Sequence, residues 1–313
     1  MTKYLVTGGS GFIGSNLVQS LLNKGESVKV LDNNSTGNKG NVQDYIDDIE
    51  WIEGDMTDYE TIKKAVNGVD VVFHQGAIPS VPKSVKNPLA TNHANVTGTL
   101  QLLYASVEEN VSRVIYAASS SAYGDTETLS KKEDMPGKPL SPYAVSKYIG
   151  EHYCKVFYEI YGLETISLRY FNVFGPKQDP HSEYAAVIPK FIHSILHDEP
   201  PTIYGDGKQS RDFTYVENAI LANLLAASAP KVSGEVINVG TGNSINLNSL
   251  VNNINTLVGK NIPPIHLDER IGDVKHSLAN IEKAYNLIGY KPKVSFDDGL
   301  KQTVNWFQKI YTS

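Results

Sequence analysis

The sequence predicts an α/β protein whose main part is a doubly wound parallel sheet, followed by a smaller α+β region. In the first half, short apolar runs alternate with longer amphipathic stretches, the pattern of strands that alternate with helices. After about Pro176 the rhythm changes, because prolines interrupt shorter elements. We therefore expect a first domain over residues 1–176 and a second, smaller domain over residues 177–313. A segment of about 210–235 is expected to return to the first domain.

The predicted strands of the first half are short and rich in valine and isoleucine, which is typical of strands buried on both faces. They are Lys3–Thr7, Ser27–Asp32, Glu50–Gly54, Val69–His74, Arg113–Ala118 and Leu163–Leu168. Helical periodicity is found between most of them, at Ser15–Lys24, Asp58–Val66, Pro88–Glu108 and in the stretch around Tyr143. This alternation predicts a parallel sheet with helices on both faces.

The composition is that of a globular protein, with 313 residues, 41% of them hydrophobic and 20% charged. Nucleic acid is not expected as a partner, because the net charge is -6 and no basic run is present. The sequence has neither a signal-peptide pattern nor an apolar stretch of about eighteen residues, so we expect a cytoplasmic protein without membrane contact. No metal site is expected, because Cys154 is the one cysteine and the pair His193 and His197 lacks the glutamate of a zinc-protease helix.

A glycine-rich turn follows the first strand and opens the first helix. It reads TGGSGFIG, with Gly8, Gly11 and Gly14 at a spacing of three and with Phe12 and Ile13 between the last two. Glycines allow a tight turn, and the backbone N–H groups and the helix N-terminus can then approach a pyrophosphate. The position of the triplet between a strand and a helix predicts dinucleotide binding.

The ends of the second and third strands favour NAD as the dinucleotide. Asp32 would accept hydrogen bonds from the adenosine ribose, and the residues from Asn33 to Thr36 offer no arginine for a 2′-phosphate. Asp55 could accept a hydrogen bond from the adenine amine. The alternative for both carboxylates is the capping of a turn. We also place Met56, Ala77 and Asn92 at the cofactor site.

Three copies of Tyr-x-x-x-Lys are present, and only their surroundings distinguish them. Tyr59–Lys63 falls on a helix that we expect to face solvent, and Tyr204–Lys208 spans a glycine-rich turn. Tyr143–Lys147 begins a long helix after the fifth strand, which ends in AASSSAYG. Because sites in open parallel sheets lie at the carboxyl ends of strands, we expect Ser119 and Tyr143 to meet there.

These motifs, in this order, resemble the extended short-chain dehydrogenase/reductase family, a family with the Rossmann fold. LRYFNVFGP (168–176) and GDGKQSRDFTYV (205–216) are similar to its nucleotide-sugar branch, whose best-known members are the UDP-hexose 4-epimerases. The resemblance runs from residue 3 to about residue 310. It implies that NAD is a cofactor regenerated in every cycle, and that the protein is a homodimer formed through a four-helix bundle.

The resemblance also implies the catalytic roles. Tyr143 would remove the proton of the sugar 4-hydroxyl, and Ser119 would hydrogen-bond that hydroxyl. Lys147 would bond the nicotinamide ribose, and together with the positive nicotinamide ring it would lower the pKa of Tyr143. Phe171 would lie near the nicotinamide.

The substrate-binding residues implied by the resemblance surround a UDP-sugar. They are Ser80, Lys83, Ser119, Ser120, Tyr143, Asn172, Ala186, Val187, Ile188, Tyr204, Arg211, Arg270, Asp273 and Ser277. Arg211 and Arg270 would clamp the diphosphate, since the arginine fork suits phosphate oxygens. Asp273 would bond the nucleotide ribose, and Val187 and Ile188 would form part of the uracil pocket.

Three positions favour one reaction and one sugar. The dehydratases of the family carry an Asp–Glu pair after the catalytic hydroxyl residue and the decarboxylases a glutamate, whereas Ser120 and Ser121 stand here, which favours epimerisation. Ser277 stands where epimerases restricted to glucose and galactose carry a tyrosine. A serine leaves room for an acetamido group, which favours UDP-GlcNAc/UDP-GalNAc, with UDP-Glc/UDP-Gal as a further pair. The alternatives are a UDP-glucose 4-epimerase, a UDP-glucuronate 4-epimerase, which would need a cation near the sugar C6, and a non-catalytic NAD-binding regulator.

Overall fold

The computed structural model describes residues 2–180, 186–269 and 274–312. In chain order the strands are β1 (Lys3–Thr7), β2 (Ser27–Asp32), β3 (Glu50–Glu53), β4 (Val71–His74), β5 (Arg113–Ser119), β6 (Ser130–Lys131), β7 (Glu164–Tyr170), β8 (Val173–Phe174), β9 (Thr202–Tyr204), β10 (Ser210–Arg211), β11 (Thr214–Tyr215), β12 (Glu235–Val239), β13 (Ile245–Asn246), β14 (Ile265–Leu267) and β15 (His276–Ala279). Two predicted substrate residues, Arg270 and Asp273, lie outside the described residues.

The helices surround the strands in the order that the sequence predicts for the first half. They are α1 (Phe12–Leu22), α2 (Tyr59–Val66), α3 (Val81–Lys86), α4 (Pro88–Asn92), α5 (Gly98–Glu108), α6 (Pro142–Tyr161), α7 (Val187–Leu196), α8 (Val216–Ser228), α9 (Leu247–Val258), α10 (Glu282–Ile288) and α11 (Phe296–Thr312). Short 3₁₀ turns cover Lys39–Asp48 and Ser120–Tyr123. Within the described part of the chain, no helix is both long and apolar enough to cross a bilayer.

A seven-stranded parallel sheet forms the centre of the molecule, in the order β12-β7-β5-β4-β1-β2-β3. The chain leaves β1 for β2 on one side and later returns to β4 on the other, so the strand order reverses between β1 and β4. Ligands of open α/β sheets bind outside the carboxyl ends of the strands at such a reversal. The predicted fold class, a doubly wound sheet with a smaller α+β part, is confirmed.

Helices cover both faces of this sheet. On one face, α2, α5 and α6 bury side chains such as Ile62, Leu102 and Phe157 against the strands. On the other face, α1 and α8 contribute Leu17 and Ala219 to a second cluster. This burial of apolar side chains is the main force that stabilises the sheet and fixes the positions of its strand ends.

The smaller part is built around a four-stranded mixed sheet in the order β13-β10-β15-β6, with two further pairs, β11-β8 and β14-β9. It is not one continuous stretch of chain. Strand β12 leaves it to pair with β7 in the large sheet, and β8 pairs with β11, so the two parts exchange strands across the region between them.

The predicted helix Pro88–Glu108 is divided. Residues His93–Thr97 form a π-helical turn between α4 and α5. A π-turn inserts one extra residue per turn, so it rotates the side chains that follow it, and such turns are frequent at functional sites. Hydropathy patterns do not reveal it, because both flanking helices keep their apolar faces.

Candidate active site

The glycine turn adopts the close approach that its sequence predicts. Gly8 has φ +67°, and a Cβ on it would lie 2.7 Å from the Gly76 Cα at the end of β4. A Cβ on Gly14 would collide with the Gly8 carbonyl oxygen. The Gly11 and Ser15 backbones close the turn, with the Ser15 N–H donating to the Gly11 carbonyl at 2.9 Å. The turn therefore presents bare backbone and the N-terminus of α1, a site suited to a phosphate group.

A cavity of ≈ 490 Å³ lies above this turn, at the carboxyl ends of the central strands. Most of the predicted cofactor residues line it: Gly8, Gly11, Phe12, Ile13, Gly14, Asp32, Asn33, Asp55, Met56, Ala77, Tyr143 and Lys147. A cavity floored by glycine backbone and walled by two carboxylates fits a dinucleotide, with the pyrophosphate over the turn and a ribose beside Asp32.

Hydrogen bonds hold both carboxylates in place. Asp32 accepts from the Ser10 N–H at 2.9 Å and from the Asn34 N–H at 2.8 Å. An ionised carboxylate offers about four acceptor positions, so Asp32 can still accept from ribose hydroxyls. Burial acts to raise the pKa of Asp55, but hydrogen bonds from Thr57 and Asn33 outweigh it and lower that pKa below its usual value. Both side chains are thus prepared to accept hydrogen bonds.

Tyr143 and Lys147 lie on the first two turns of α6. The Ser141 hydroxyl caps the helix by accepting from the Ala144 N–H at 3.1 Å, which fixes where the helix begins and therefore where Tyr143 points. The Lys147 ammonium donates to the Ala117 carbonyl on β5 at 2.8 Å. It also lies 5.0 Å from the centre of the Tyr116 ring. Helix α6 thereby brings both side chains to the carboxyl end of β5.

The protein groups alone move the pKa of Tyr143 upward. Burial is the main cause, and a hydrogen bond with the Ser119 side chain offsets part of it. We expected a lower pKa from Lys147 and the nicotinamide charge, so the direction set by the protein is opposite to that expectation. Burial also lowers the pKa of Lys147 to about 8, because desolvation disfavours the ammonium.

Ser119 ends β5 next to this pair. Its hydroxyl accepts from the Ser121 N–H at 3.2 Å and from the Ser121 hydroxyl at 2.8 Å. Two donors from Ser121 leave the Ser119 proton available for an oxygen of Tyr143 or of a ligand. Ser120 begins the short 3₁₀ turn that follows.

Two predicted cofactor residues do not line the cavity. Asn92 is exposed at the end of α4, whereas the π-turn after it brings His93 and Ala94 to the cavity wall. Phe171 is fully buried with its ring centre 6.1 Å from that of Tyr123, and the preceding residue, Tyr170, lines the cavity instead. Adjacent residues of an extended segment point in opposite directions, so an offset of one residue exchanges the side chain that faces the ligand.

Sequence reasoning missed Asn95 within the π-turn. Its buried side chain accepts from the Ile78 N–H at 2.8 Å and donates to the Ser146 hydroxyl at 3.0 Å. Ser146 in turn donates to the carbonyl of Tyr143 at 2.8 Å. Asn95 therefore ties the loop after β4 to the turn of α6 that carries Tyr143. An asparagine amid helical periodicity is the one signal that the sequence offered.

A second cavity, of ≈ 470 Å³, lies in the smaller part of the molecule. Six predicted substrate residues line it: Asn172, Ala186, Val187, Ile188, Tyr204 and Arg211. Asn172 has the unusual φ of +35°, and its amide donates to the Asp212 carbonyl at 3.0 Å. The Arg211 guanidinium donates to the Ser210 and Lys275 carbonyls at 3.0 and 3.1 Å, which holds its cation at the cavity wall.

Five predicted substrate residues lie outside the walls of both cavities: Ser80, Lys83, Ser119, Ser120 and Ser277. The Ser80 hydroxyl caps α3 by accepting from the Lys83 N–H at 3.2 Å, and the Lys83 side chain is exposed. Ser277 is half-buried in β15, where it is the register partner of Arg211 in β10.

Comparison with known proteins assigns the chain to a family. The model of the NAD dependent epimerase/dehydratase family matches residues 4–240. A UDP-N-acetylglucosamine 4-epimerase from Methanobrevibacter ruminantium, in complex with UDP-N-acetylmuramic acid, is 43% identical with a TM-score of 0.94 over 99% of both chains. A UDP-glucose 4-epimerase from Thermotoga maritima with UDP-glucose is 36% identical with a TM-score of 0.94, over 99% of this chain and 100% of that one.

A relative from Methanocaldococcus jannaschii, named a putative UDP-glucose 4-epimerase, is 39% identical over 97% of this chain and 98% of its own length. The family match covers the whole glycine turn, the helix of Tyr143 and the strand β12, so it includes every element of the first cavity. The residues of that cavity fit the cofactor that the family uses. The chain therefore belongs to the NAD dependent epimerase/dehydratase family, and its cofactor is NAD.

Proposed function

We propose that the sugar on which this UDP-sugar 4-epimerase acts is N-acetylglucosamine or N-acetylgalactosamine, carried as its UDP derivative. The observation that carries the proposal is the small residue Ser277, the register partner of Arg211, which lines the second cavity. In the epimerases restricted to glucose and galactose that the sequence resembles, a tyrosine stands at this position. The 43% identity to a protein named a UDP-N-acetylglucosamine 4-epimerase supports the same choice. UDP-Glc/UDP-Gal is a further pair that the same space would accept.

We assign the catalytic roles to three residues around the end of β5. Tyr143 takes the proton of the sugar 4-hydroxyl as general base, and Ser119 holds that hydroxyl by a hydrogen bond. Lys147 holds the nicotinamide ribose and supplies positive charge near Tyr143. When bound, NAD would accept the hydride from sugar C4 and return it. Tyr143 then returns its proton to the same oxygen, so the tyrosine ends each cycle as it began.

Because the pKa of Tyr143 is raised, its role as a base requires a positive charge nearby. A phenol whose pKa lies above 10 is almost entirely protonated at neutral pH, so a nearby positive charge must favour the phenolate before it can act as a base. Lys147 lies one helical turn after Tyr143 on the same face of α6. We therefore assign its ammonium as the protein cation that favours the phenolate. The positive nicotinamide ring would add a second such charge.

We assign the nucleotide to the second cavity. Arg211, together with Arg270, holds the diphosphate, and Asp273 bonds the ribose. Val187 and Ile188 at the start of α7 contact the uracil, and Asn172 contacts the phosphates or the sugar. Ser80, the N-cap of α3, and Lys83, within α3, border the sugar from the side of the cofactor. The sugar then lies between the two cavities, with its C4 beside Tyr143.

We propose further that the protein is a homodimer through α5 and α6. These helices expose a contiguous apolar face, in which Tyr104 is 45%, Val156 40%, Ile160 69% and Tyr161 51% exposed. A patch of large apolar side chains on two adjacent helices is typical of a surface that another protein covers. Two copies of this helix pair would form a four-helix bundle.

Product analysis tests the sugar. The purified protein is incubated, without added NAD, with UDP-GlcNAc, UDP-Glc or UDP-glucuronate, and the products are resolved by proton NMR. UDP-GalNAc formed from UDP-GlcNAc supports the proposal. Conversion of UDP-Glc or of UDP-glucuronate alone would contradict the choice of sugar and leave the family assignment in place.

A further inference from the structure

Lys177 connects a loop beside the second cavity to a segment beside the first. It lies in the loop between Phe174 and Pro180, both of which line the second cavity. Its ammonium reaches across to the first part of the molecule, where it donates to the Asn41 carbonyl at 2.9 Å and to the Tyr45 hydroxyl at 3.2 Å. A third donation, to the Gln19 side chain at 3.4 Å, is longer and more exposed.

The two main acceptors of Lys177 belong to the segment that covers the glycine turn. The Asn41 amide donates to the Ser10 carbonyl at 2.9 Å, within the turn itself. The Tyr45 hydroxyl donates its proton to the Ser15 carbonyl on α1 at 2.7 Å, and its lone pairs stay available to accept from Lys177. The beginning of the same segment, at Ser35–Gly37, lines the first cavity.

A second contact joins the same two regions. The Asn16 amide on α1 donates to the Pro176 carbonyl at 3.2 Å and to the Phe12 carbonyl at 2.8 Å. Lys177 itself has φ +70°, a conformation that residues other than glycine rarely adopt. The loop thus holds a lysine in an unfavourable backbone conformation, and that conformation delivers the ammonium to Asn41 and Tyr45.

The ammonium of Lys177 is half-buried, and its hydrogen-bond acceptors are neutral oxygens. Burial lowers its pKa, and the charge of Asp44 opposes this. A cation held in this way is sensitive to small movements of its acceptors, because each lost hydrogen bond leaves a partly desolvated charge without compensation. A shift of the segment over the glycine turn would therefore change the hydrogen bonds of Lys177. Through Lys177 it would also move the loop beside the second cavity.

We propose that Lys177 is a positioning residue that couples the occupancy of the cofactor cavity to that of the nucleotide-sugar cavity. NAD in the first cavity fixes Ser35–Gly37 and the segment up to Tyr45, which holds Lys177 and the loop from Phe174 to Pro180 in the arrangement that binds UDP. Linkage makes the effect reciprocal, so UDP in the second cavity tightens the binding of NAD. We expect the tighter binding to appear as slower release of NAD. The inference rests on the proposed assignment of the two cavities to NAD and UDP-sugar.

Release of NAD from the holoenzyme tests the coupling. The purified protein is held at a temperature at which NAD escapes slowly, with and without saturating UDP, and free NAD is measured after ultrafiltration. In the wild type UDP should slow the release by about fivefold or more, the lower range of allosteric coupling. In Lys177→Met, UDP should change the release by less than about twofold, although calorimetry still detects UDP binding.

Two further variants make the test specific. Tyr45→Phe removes the hydroxyl between Lys177 and the Ser15 carbonyl with little change in shape, so it should reduce the coupling even if Lys177→Met does not fold. Lys260→Met is the matched control, because Lys260 likewise donates to neutral oxygens, the carbonyls of Ile195 and Leu196 at 3.0 and 2.8 Å, but on the substrate side only. Lys260→Met should keep the full effect of UDP on NAD release.

Undiminished coupling in both Lys177→Met and Tyr45→Phe would overturn this inference alone. So would a wild-type protein that binds UDP without any change in NAD release. A wild-type holoenzyme that does not bind UDP at all would instead overturn the proposed function, and the inference with it.

Discussion

Lys147 lies one helical turn after Tyr143 on α6, yet its ammonium is directed to the Ala117 carbonyl on β5, 2.8 Å away. The lysine is therefore fixed by the sheet as well as by the helix. The hydrogen bond holds the Lys147 ammonium at the edge of the cofactor cavity. Burial lowers the pKa of this ammonium to about 8. The other two Tyr-x-x-x-Lys copies differ from this one, since Tyr59, Lys63, Tyr204 and Lys208 do not line this cavity.

Replacement of Tyr143 by phenylalanine should abolish most of the turnover. The variant keeps the shape of the side chain and removes the proposed base, so kcat should fall by about 10²-fold or more. Turnover is measured on UDP-GlcNAc with NAD content checked by absorbance. Tyr59→Phe is the matched control from another Tyr-x-x-x-Lys copy and should keep its kcat. Near-wild-type kcat in Tyr143→Phe would show that this tyrosine is not the base.

Replacement of Gly8 by alanine should destabilise the protein more than replacement of Gly25 by alanine. Both glycines have positive φ, +67° and +75°, so both substitutions carry the same penalty of about 1–2 kcal/mol for a left-handed residue. Only at Gly8 would the new Cβ meet backbone, 2.7 Å from the Gly76 Cα, whereas Gly25 has open space. We expect Gly8→Ala to lower Tm further than Gly25→Ala and to lose bound NAD. Equal Tm and equal NAD content in the two variants would contradict the close approach of β1 and β4.

His74 should make the protein sensitive to acid. It is buried between the Thr7 hydroxyl at 2.8 Å and the Thr99 hydroxyl at 2.9 Å. Desolvation, with a smaller contribution from Lys147, lowers its pKa from 6.5 to about 3. Between these values the unfolded chain binds a proton that the folded protein does not. The free energy of unfolding should therefore fall with decreasing pH, by at most about 1.4 kcal/mol per pH unit.

His74→Gln tests whether His74 causes this pH dependence of the free energy of unfolding. Glutamine can still accept and donate hydrogen bonds at this position but does not titrate. Urea unfolding at pH 7 and pH 4.5 should show a smaller loss of stability in this variant than in the wild type. His266→Gln, at an exposed site, should keep the wild-type pH dependence. The same slope in all three proteins would exclude His74 as the source.

A tyrosine at position 277 should change the substrate range. Ser277→Tyr adds a ring beside Arg211, which should lower kcat/KM for UDP-GlcNAc by about tenfold or more and leave UDP-Glc within about threefold of the wild type. Ser277→Ala keeps the space and should retain both activities. An equal loss for the two sugars in Ser277→Tyr would mean that position 277 does not distinguish them.

A charge on the exposed apolar face of α6 should separate the proposed dimer. Ile160→Glu would place a carboxylate in the centre of the bundle, where desolvation is costly, and light scattering should then report a monomer. Leu129→Glu, at a position that is 58% exposed and lies outside α5 and α6, should remain a dimer. A wild-type protein that is monomeric at micromolar concentration would contradict the proposed interface.

The sequence by itself determined the features that depend on short stretches of chain. The alternation of apolar runs with helical periodicity was sufficient for the fold class, and β1 and β2 begin and end at the predicted residues. The glycine turn and the pair Tyr143 and Lys147 could also be recognised, because turn geometry and helical spacing depend on neighbouring residues.

Only the tertiary structure decided the contacts between distant segments. The pairing of β12 with β7, the contact of Lys177 with Asn41 and the upward pKa shift of Tyr143 all depend on which surfaces are buried together. The π-turn after Asn92 and the orientation of Phe171 also escaped the sequence patterns. A shift of one residue in a helix or extended segment changes which side chain faces the cavity, and packing, rather than local periodicity, selects that shift.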